Sequence, residues 1–195
     1  MLGPSASDDR PGAAVRQLGL RSLAARTRRA IVDLGCGVGV DTEAIARSTG
    51  AHVIGIDRDR ASLARAARAP GVRYLCADPL RLPLATATVD GVYSFGLLER
   101  LASDGNEPIR AVIREIRRTL RDEGVAILAT VADFRHRGAG RRSLTGAEVS
   151  QAVRGSLKLH ELIGLVDRGR DGAIARHWYI HALPGPAGSA GRDGA

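Results

Sequence analysis

The chain has 195 residues, 44% hydrophobic and 26% charged, and 29 Lys+Arg against 21 Asp+Glu give it a formal charge of +8. That length can bury a core without staples, and two cysteines, Cys36 and Cys76, cannot make a disulfide framework, so a reducing, cytoplasmic setting is expected. Aromatics at 3% argue against single-stranded nucleic-acid binding; no run reaches the ~20 apolar residues of a membrane span, and the first residues lack the basic and apolar regions of a signal peptide.

Arginine carries almost all the positive charge, since Lys158 is the only lysine. GC-rich coding alone can produce that skew; otherwise guanidinium forks suit an anionic partner. Residues 1–12 and 185–195 are rich in Gly, Pro, Ser and Asp and read as disordered tails. Val15 to Arg29 reads as a basic helix that could cap the domain of residues 30–184. Strand 30–34 then leads to helix 41–49, strand 52–56 to helix 59–69, and strand 72–76 to the loop Asp78-Pro-Leu-Arg-Leu-Pro83. Strand 89–95 and a helix at 106–121 follow. That helix sets Ile109, Val112, Ile113, Ile116 and Leu120 on one face, with arginines mostly around the others.

Val125 to Ala132 is an apolar run with the length of a central strand. Ser156 to Ile163 reads as a last helix, and 164–170 with 173–183 as a closing hairpin around Asp171-Gly172, a favoured two-residue turn. Alternating strands and helices predict an α/β fold: a Rossmann-like, doubly wound, mostly parallel sheet.

The stretch Ile31-Val-Asp-Leu-Gly-Cys-Gly-Val-Gly39, followed by Asp57 at the end of the next apolar run, carries the most chemistry. Three alternating glycines let the backbone turn sharply and approach a ligand closely. A dinucleotide fingerprint requires Gly-x-Gly-x-x-Gly, and here position 40 is Val while the third glycine comes one residue early. Asp33 precedes the first glycine by two residues, where a carboxylate would oppose a cation rather than a pyrophosphate.

These residues resemble motif I of the class I S-adenosylmethionine-dependent methyltransferases, in the small-molecule branch. Asp57 is similar to the acid that binds the two ribose hydroxyls in that family. Cys76-Ala-Asp78-Pro resembles the segment whose acid binds the adenine amine, and Val89 to Leu101 resembles the fourth strand and its loop. The resemblance spans about residues 30–132 and implies seven strands with a reversed last strand. It implies S-adenosylmethionine as cofactor, held by Asp33, Gly35, Cys36, Gly37, Gly39, Asp57, Arg58, Ala77, Asp78, Pro79, Ser94 and Phe95. Cys36 reads as a small filler of the turn rather than a nucleophile.

Methyl transfer from a sulfonium needs chiefly alignment, so no catalytic residue is assigned; Glu99, Asp133 and His136 are the candidates for a base. Tyr93-Ser-Phe-Gly96 stands where methyltransferases of the exocyclic amines of DNA bases and the amide of glutamine carry Asn/Asp-Pro-Pro-Tyr, which argues against those substrates. The related Leu-Glu-His of the small-molecule branch reads Leu98-Glu-Arg100 here, so that histidine's role does not carry over. Only about ten residues follow the fifth strand before the next helix could begin, giving a minimal cap and an open site. The N-terminal helix, a second copy or partner subunit, or a large acceptor would cover it. The basic loop Arg135-His-Arg137 and Arg141-Arg142 would meet an anionic acceptor first. No metal site is expected, because His177 and His181 lie about 13 Å apart on a strand. The expected acceptor is a small or carrier-bound metabolite; the alternatives are RNA or protein, or a catalytically silent cofactor-binding subunit.

Overall fold

The computed structural model describes residues 12–26, 29–132, 143–168 and 174–185. The elements run α1 (Ala13–Arg26), β1 (Ala30–Leu34), α2 (Val40–Thr49), β2 (His52–Asp57), α3 (Arg60–Ala64), β3 (Val72–Cys76) and β4 (Val89–Phe95). They continue through α4 (Leu98–Leu101), α5 (Asn106–Thr119), β5 (Leu120–Val131), α6 (Gly146–Val153), β6 (Leu157–Arg168) and β7 (Ile174–Pro184). Seven strands form one sheet in the order β3-β2-β1-β4-β5-β7-β6. Pairs from β3 to β5 are parallel, and β7 runs antiparallel to both β5 and β6. The reversed last strand of the expected seven-stranded sheet is therefore present.

Side chains alternate across the sheet and build two apolar layers. On one face Ile31, Val53, Tyr93, Ile127 and Tyr179 pack under Val15 and Leu23 of α1 and Ile45 of α2. Gly19 of α1 is required there, because a Cβ would stand 2.9 Å from the Tyr93 ring. On the other face Val32, Val92, Leu128 and Ile180 meet Ile109, Val112, Ile113 and Ile116 of α5 and Val149 and Val153 of α6. The arginines of α5 lie away from this stripe: Arg114 pairs with Glu107, Arg118 with Glu115 and Arg117 with Asp122.

Two expected helices are corrected. Residues 157–163 belong to β6, not to a helix. Leu157 and Leu159 keep strand alternation, but the register slips between Leu159 and Glu161. That bulge leaves Leu159 and Leu162 three residues apart, which imitates helical spacing. The last helix lies earlier, in α6, where Thr145 and Glu148 form a reciprocal capping box. Helix 59–69 shrinks to Arg60–Ala64, because none of its residues is buried and Pro70 disfavours helix just before it.

Among the described residues no helix is long and apolar enough to cross a membrane. The Asp171-Gly172 turn, the basic loop with Arg135, Arg137, Arg141 and Arg142, the candidate bases Asp133 and His136, and residues 186–195 lie outside the described residues.

β1 leads outward through β2 to β3, while β4 lies on its other side. The crevice for a ligand in such a sheet opens at the carboxyl ends of the strands beside that reversal.

Candidate functional site

Gly35, Gly37 and Gly39 all adopt left-handed φ angles of 79°, 55° and 81°. The turn is pinned from below: the Gly35 and Cys36 N–H groups both donate to the Ile56 carbonyl, at 2.8 and 3.1 Å. Gly37 N–H donates to Asp57 Oδ2 at 2.8 Å, and Asp59 N–H to Asp57 Oδ1 at 2.9 Å. Asp57 therefore ties the glycine turn to the end of β2 and keeps lone pairs over for a ligand. Tyr74 of β3 lies against both Gly39 and Gly55, filling the space a Cβ would need at either position.

A cleft opens between Gly35, Asp57, Arg58, Pro79 and the segment from Leu97 to Asp104. Ile56, Pro79, Leu97 and Leu101 give it apolar walls, and Asp57, Asp104, Arg58 and Arg100 its charge. Arg100 donates from Nε to the Gly96 carbonyl at 2.9 Å and from a terminal nitrogen to the Gly35 carbonyl at 3.4 Å. Backbone carbonyls at the rim thus already accept a cation.

The other expected contacts divide. Gly35, Asp57, Arg58 and Pro79 line the cleft. Asp78 accepts from Leu80 N–H at 2.9 Å and shapes the loop that presents Pro79, while Ala77 N–H donates to the Asp57 carbonyl at 3.1 Å. Ser94 is buried and donates to the Leu34 carbonyl at 2.7 Å, joining β4 to β1 below the turn. Cys36 points toward Gly55 beneath the turn, and its burial pushes the thiol pKa well up, as a filler requires. Phe95 lies on the α1 side, with the Arg16 guanidinium 3.7 Å from its ring centroid. Leu97, Arg100, Leu101 and Asp104 line the cleft as well, beyond the contacts the sequence predicts. α4 is too short to show periodicity, and only the resemblance of the loop after β4 signalled it.

Asp33 is behind the turn rather than on the cleft wall. It is 2% exposed and accepts from the Thr42 hydroxyl at 2.6 Å. Burial pushes its pKa up to about 7; the Thr42 hydrogen bond opposes the rise, and the charges of Asp41 and Asp57 add to it. A carboxyl that holds its proton more tightly folded than unfolded stabilises the fold at low pH. The ligand-free chain should lose stability from this group as pH rises from about 4 to about 7, on the order of 3–4 kcal/mol in all. Urea titrations across that range check this: Asp33→Asn should flatten the profile, and an unchanged slope would contradict the burial argument.

The base candidate Glu99 is 1% exposed and accepts from the Thr130 hydroxyl at 2.7 Å. Among the described residues no three His, Cys, Asp or Glu side chains cluster to hold a metal ion.

Residues 32–128 match the family model described as "Methyltransferase domain". A Mycobacterium tuberculosis protein named "Probable S-adenosylmethionine-dependent methyltransferase" is 33% identical over 105 residues, which cover 53% of this chain and 36% of that relative. The chain thus matches only about a third of the length of that relative. Among solved structures, a S-adenosylmethionine-dependent methyltransferase of Methanosarcina mazei superposes with TM-score 0.70 at 16% identity, covering 85% of this chain and 96% of that one. A chain from the complex of the Haloferax volcanii Trm112 methyltransferase activator with a protein described there as a methyltransferase gives TM-score 0.69 at 18% identity, covering 90% and 93%.

Proposed function

Through residues 32–128 this chain belongs to the methyltransferase domain family, and from that premise we propose that it binds S-adenosylmethionine in the cleft and transfers its methyl group to a small or carrier-bound metabolite. The observation that carries the reading is the turn and acid acting as one unit: Gly37 N–H is fixed on Asp57 at the open end of β2. The cleft fits the group. Two apolar walls suit a purine, the remaining lone pairs of Asp57 suit ribose hydroxyls, and rim carbonyls that accept the Arg100 guanidinium suit a cationic tail. Asp33 behind the turn adds negative potential on that side when ionised.

When bound, S-adenosylmethionine supplies an electrophilic methyl on a positive sulfur with a neutral leaving group. The chain's part is to hold and orient. Asp57 and the turn fix one end of the cleft, and α4 closes its far wall through Leu97 and Leu101. α1 covers the neighbouring edge, where Arg16 pairs with Asp41 at 2.9 Å and stacks on Phe95. That placement supports α1 as the cap in place of longer helices after β5.

Incubating the protein with methyl-tritiated S-adenosylmethionine and a cell extract, then fractionating the label, tests the reading. Label in small or carrier-bound metabolites is the expected result; label in RNA or bulk protein would move the acceptor class. A catalytically silent cofactor-binding subunit is the second reading; the Haloferax complex, which joins a methyltransferase to an activator, is a precedent for a partner, and cofactor binding with no transfer by this chain even when a partner is added would establish it.

A further inference from the structure

Beyond the cleft, one buried polar pair has no structural explanation. His177 of β7 is 2% exposed, and its Nδ1 stands 3.1 Å from Asp167 Oδ2 of β6. Both atoms are wholly enclosed, and neither makes an aligned hydrogen bond. Burying an acid and an imidazole in this way costs free energy that two apolar residues would not, so the pair is better explained by chemistry than by packing. The pair stands at the carboxyl end of the parallel strands, the end at which a ligand crevice opens in such a sheet. His177 stands in register with Val131, the last residue of β5, and its ring is 5.6 Å from that of Phe95 at the end of β4. Asp167 Oδ1 also accepts from Ala14 N–H at 3.1 Å, under the first turn of α1. The carboxylate is thereby fixed through Oδ1, and the Nδ1 edge of the imidazole faces its other oxygen.

Resting on the methyl-transfer reading, we propose that His177, oriented by Asp167, is the general base for an acceptor whose reacting atom bears a proton: a hydroxyl or a protonated amine. Nε2 takes that proton, before attack from a protonated amine and during attack from a hydroxyl, and the acceptor's lone pair forms the new bond to the methyl carbon. The carbon–sulfur bond breaks, its electron pair stays on sulfur as a neutral thioether, and the imidazolium then releases its proton to water. Asp167 is a positioning residue that holds the ring and stabilises its charged form.

The groups facing His177 set its protonation. Burial lowers its pKa, Asp167 on β6 and Glu99 on α4 raise it, and Arg16 on α1 lowers it. The net shift is downward, which leaves the ring neutral and able to accept a proton at neutral pH. The same pair makes the base sensitive to substitution of its carboxylate partner.

His177→Gln and Asp167→Asn test this in three readouts on the intact chain: calorimetric binding of S-adenosylhomocysteine, the pH profile of tritium transfer to hydroxyl and amine acceptors and to cell extract, and the NMR titration of the His177 ring. For His177→Gln we expect affinity within twofold of the parent, a rate roughly a hundredfold lower at pH 7, and a deficit that narrows toward pH 9. Asp167→Asn should move the acid limb of the profile and the ring's titration to lower pH together. Unchanged rate and profile in His177→Gln, or an unmoved titration in Asp167→Asn, overturns the assignment while the methyl-transfer reading stands. Cofactor binding without transfer to any of these acceptors overturns it too. Absence of cofactor binding by the parent chain instead overturns the methyl-transfer reading, and the base falls with it.

Discussion

Asp57→Ala should weaken cofactor binding at least a hundredfold and destabilise the ligand-free fold by about 2–4 kcal/mol. The two effects have separate origins. In the ligand-free chain the carboxylate holds the N–H groups of Gly37 and Asp59, and a hydrogen bond to a charged group contributes roughly 1.5–3 kcal/mol. Both donors are only part-buried, so water recovers a share of the loss. On the ligand side, the proposed role of Asp57 carries two further hydrogen bonds to ribose hydroxyls, and losing both at about the same magnitude each weakens binding at least a hundredfold. Asp57→Asn separates the contributions, since its amide oxygen still accepts one backbone donor and one hydroxyl. Denaturant unfolding and calorimetry of the two variants check both halves. An alanine variant that binds normally would remove Asp57 from the site.

Gly39→Ala should be the most damaging of the single-methyl changes in the turn, costing about 3 kcal/mol. The left-handed φ of 81° charges any L residue roughly 1–2 kcal/mol, and the new methyl would overlap the Tyr74 hydroxyl and ring. Gly37→Ala has a similar φ problem but nothing within 4 Å of its added Cβ, so it should cost only about 1 kcal/mol in the ligand-free chain. Pairing Gly39→Ala with Tyr74→Ala isolates the steric part: the double variant should recover the overlap cost and retain the backbone one. If Gly37→Ala and Gly39→Ala prove equally costly, Tyr74 does not wedge the turn.

These glycines show where the sequence was readable. Three alternating glycines between an apolar run and Asp41-Thr-Glu43 fixed the strand, turn and helix together, and Asp57 was legible because an apolar strand ends on it. What pairs across the sheet was less so. Nothing in local spacing shows that Tyr74 lies over Gly39, or that Asp33 turns inward to Thr42, because both contacts join elements separated in the chain. The start of β6 reads as helix for a local reason, a bulge that gives strand residues helical spacing. The capping box at Thr145 and Glu148 was a signal present in the sequence that would have placed α6. Sequence spacing presents His177 only beside His181; its partner Asp167 lies on the neighbouring strand, so the pair exists only once β6 and β7 are registered.

Calorimetric titration of the intact chain with S-adenosylmethionine and, separately, with NAD tests the central claim most directly. The account predicts one saturable site for S-adenosylmethionine, weakened at least a hundredfold in Asp57→Ala, and no heat of binding with NAD. Saturable binding of NAD with none of S-adenosylmethionine would contradict it.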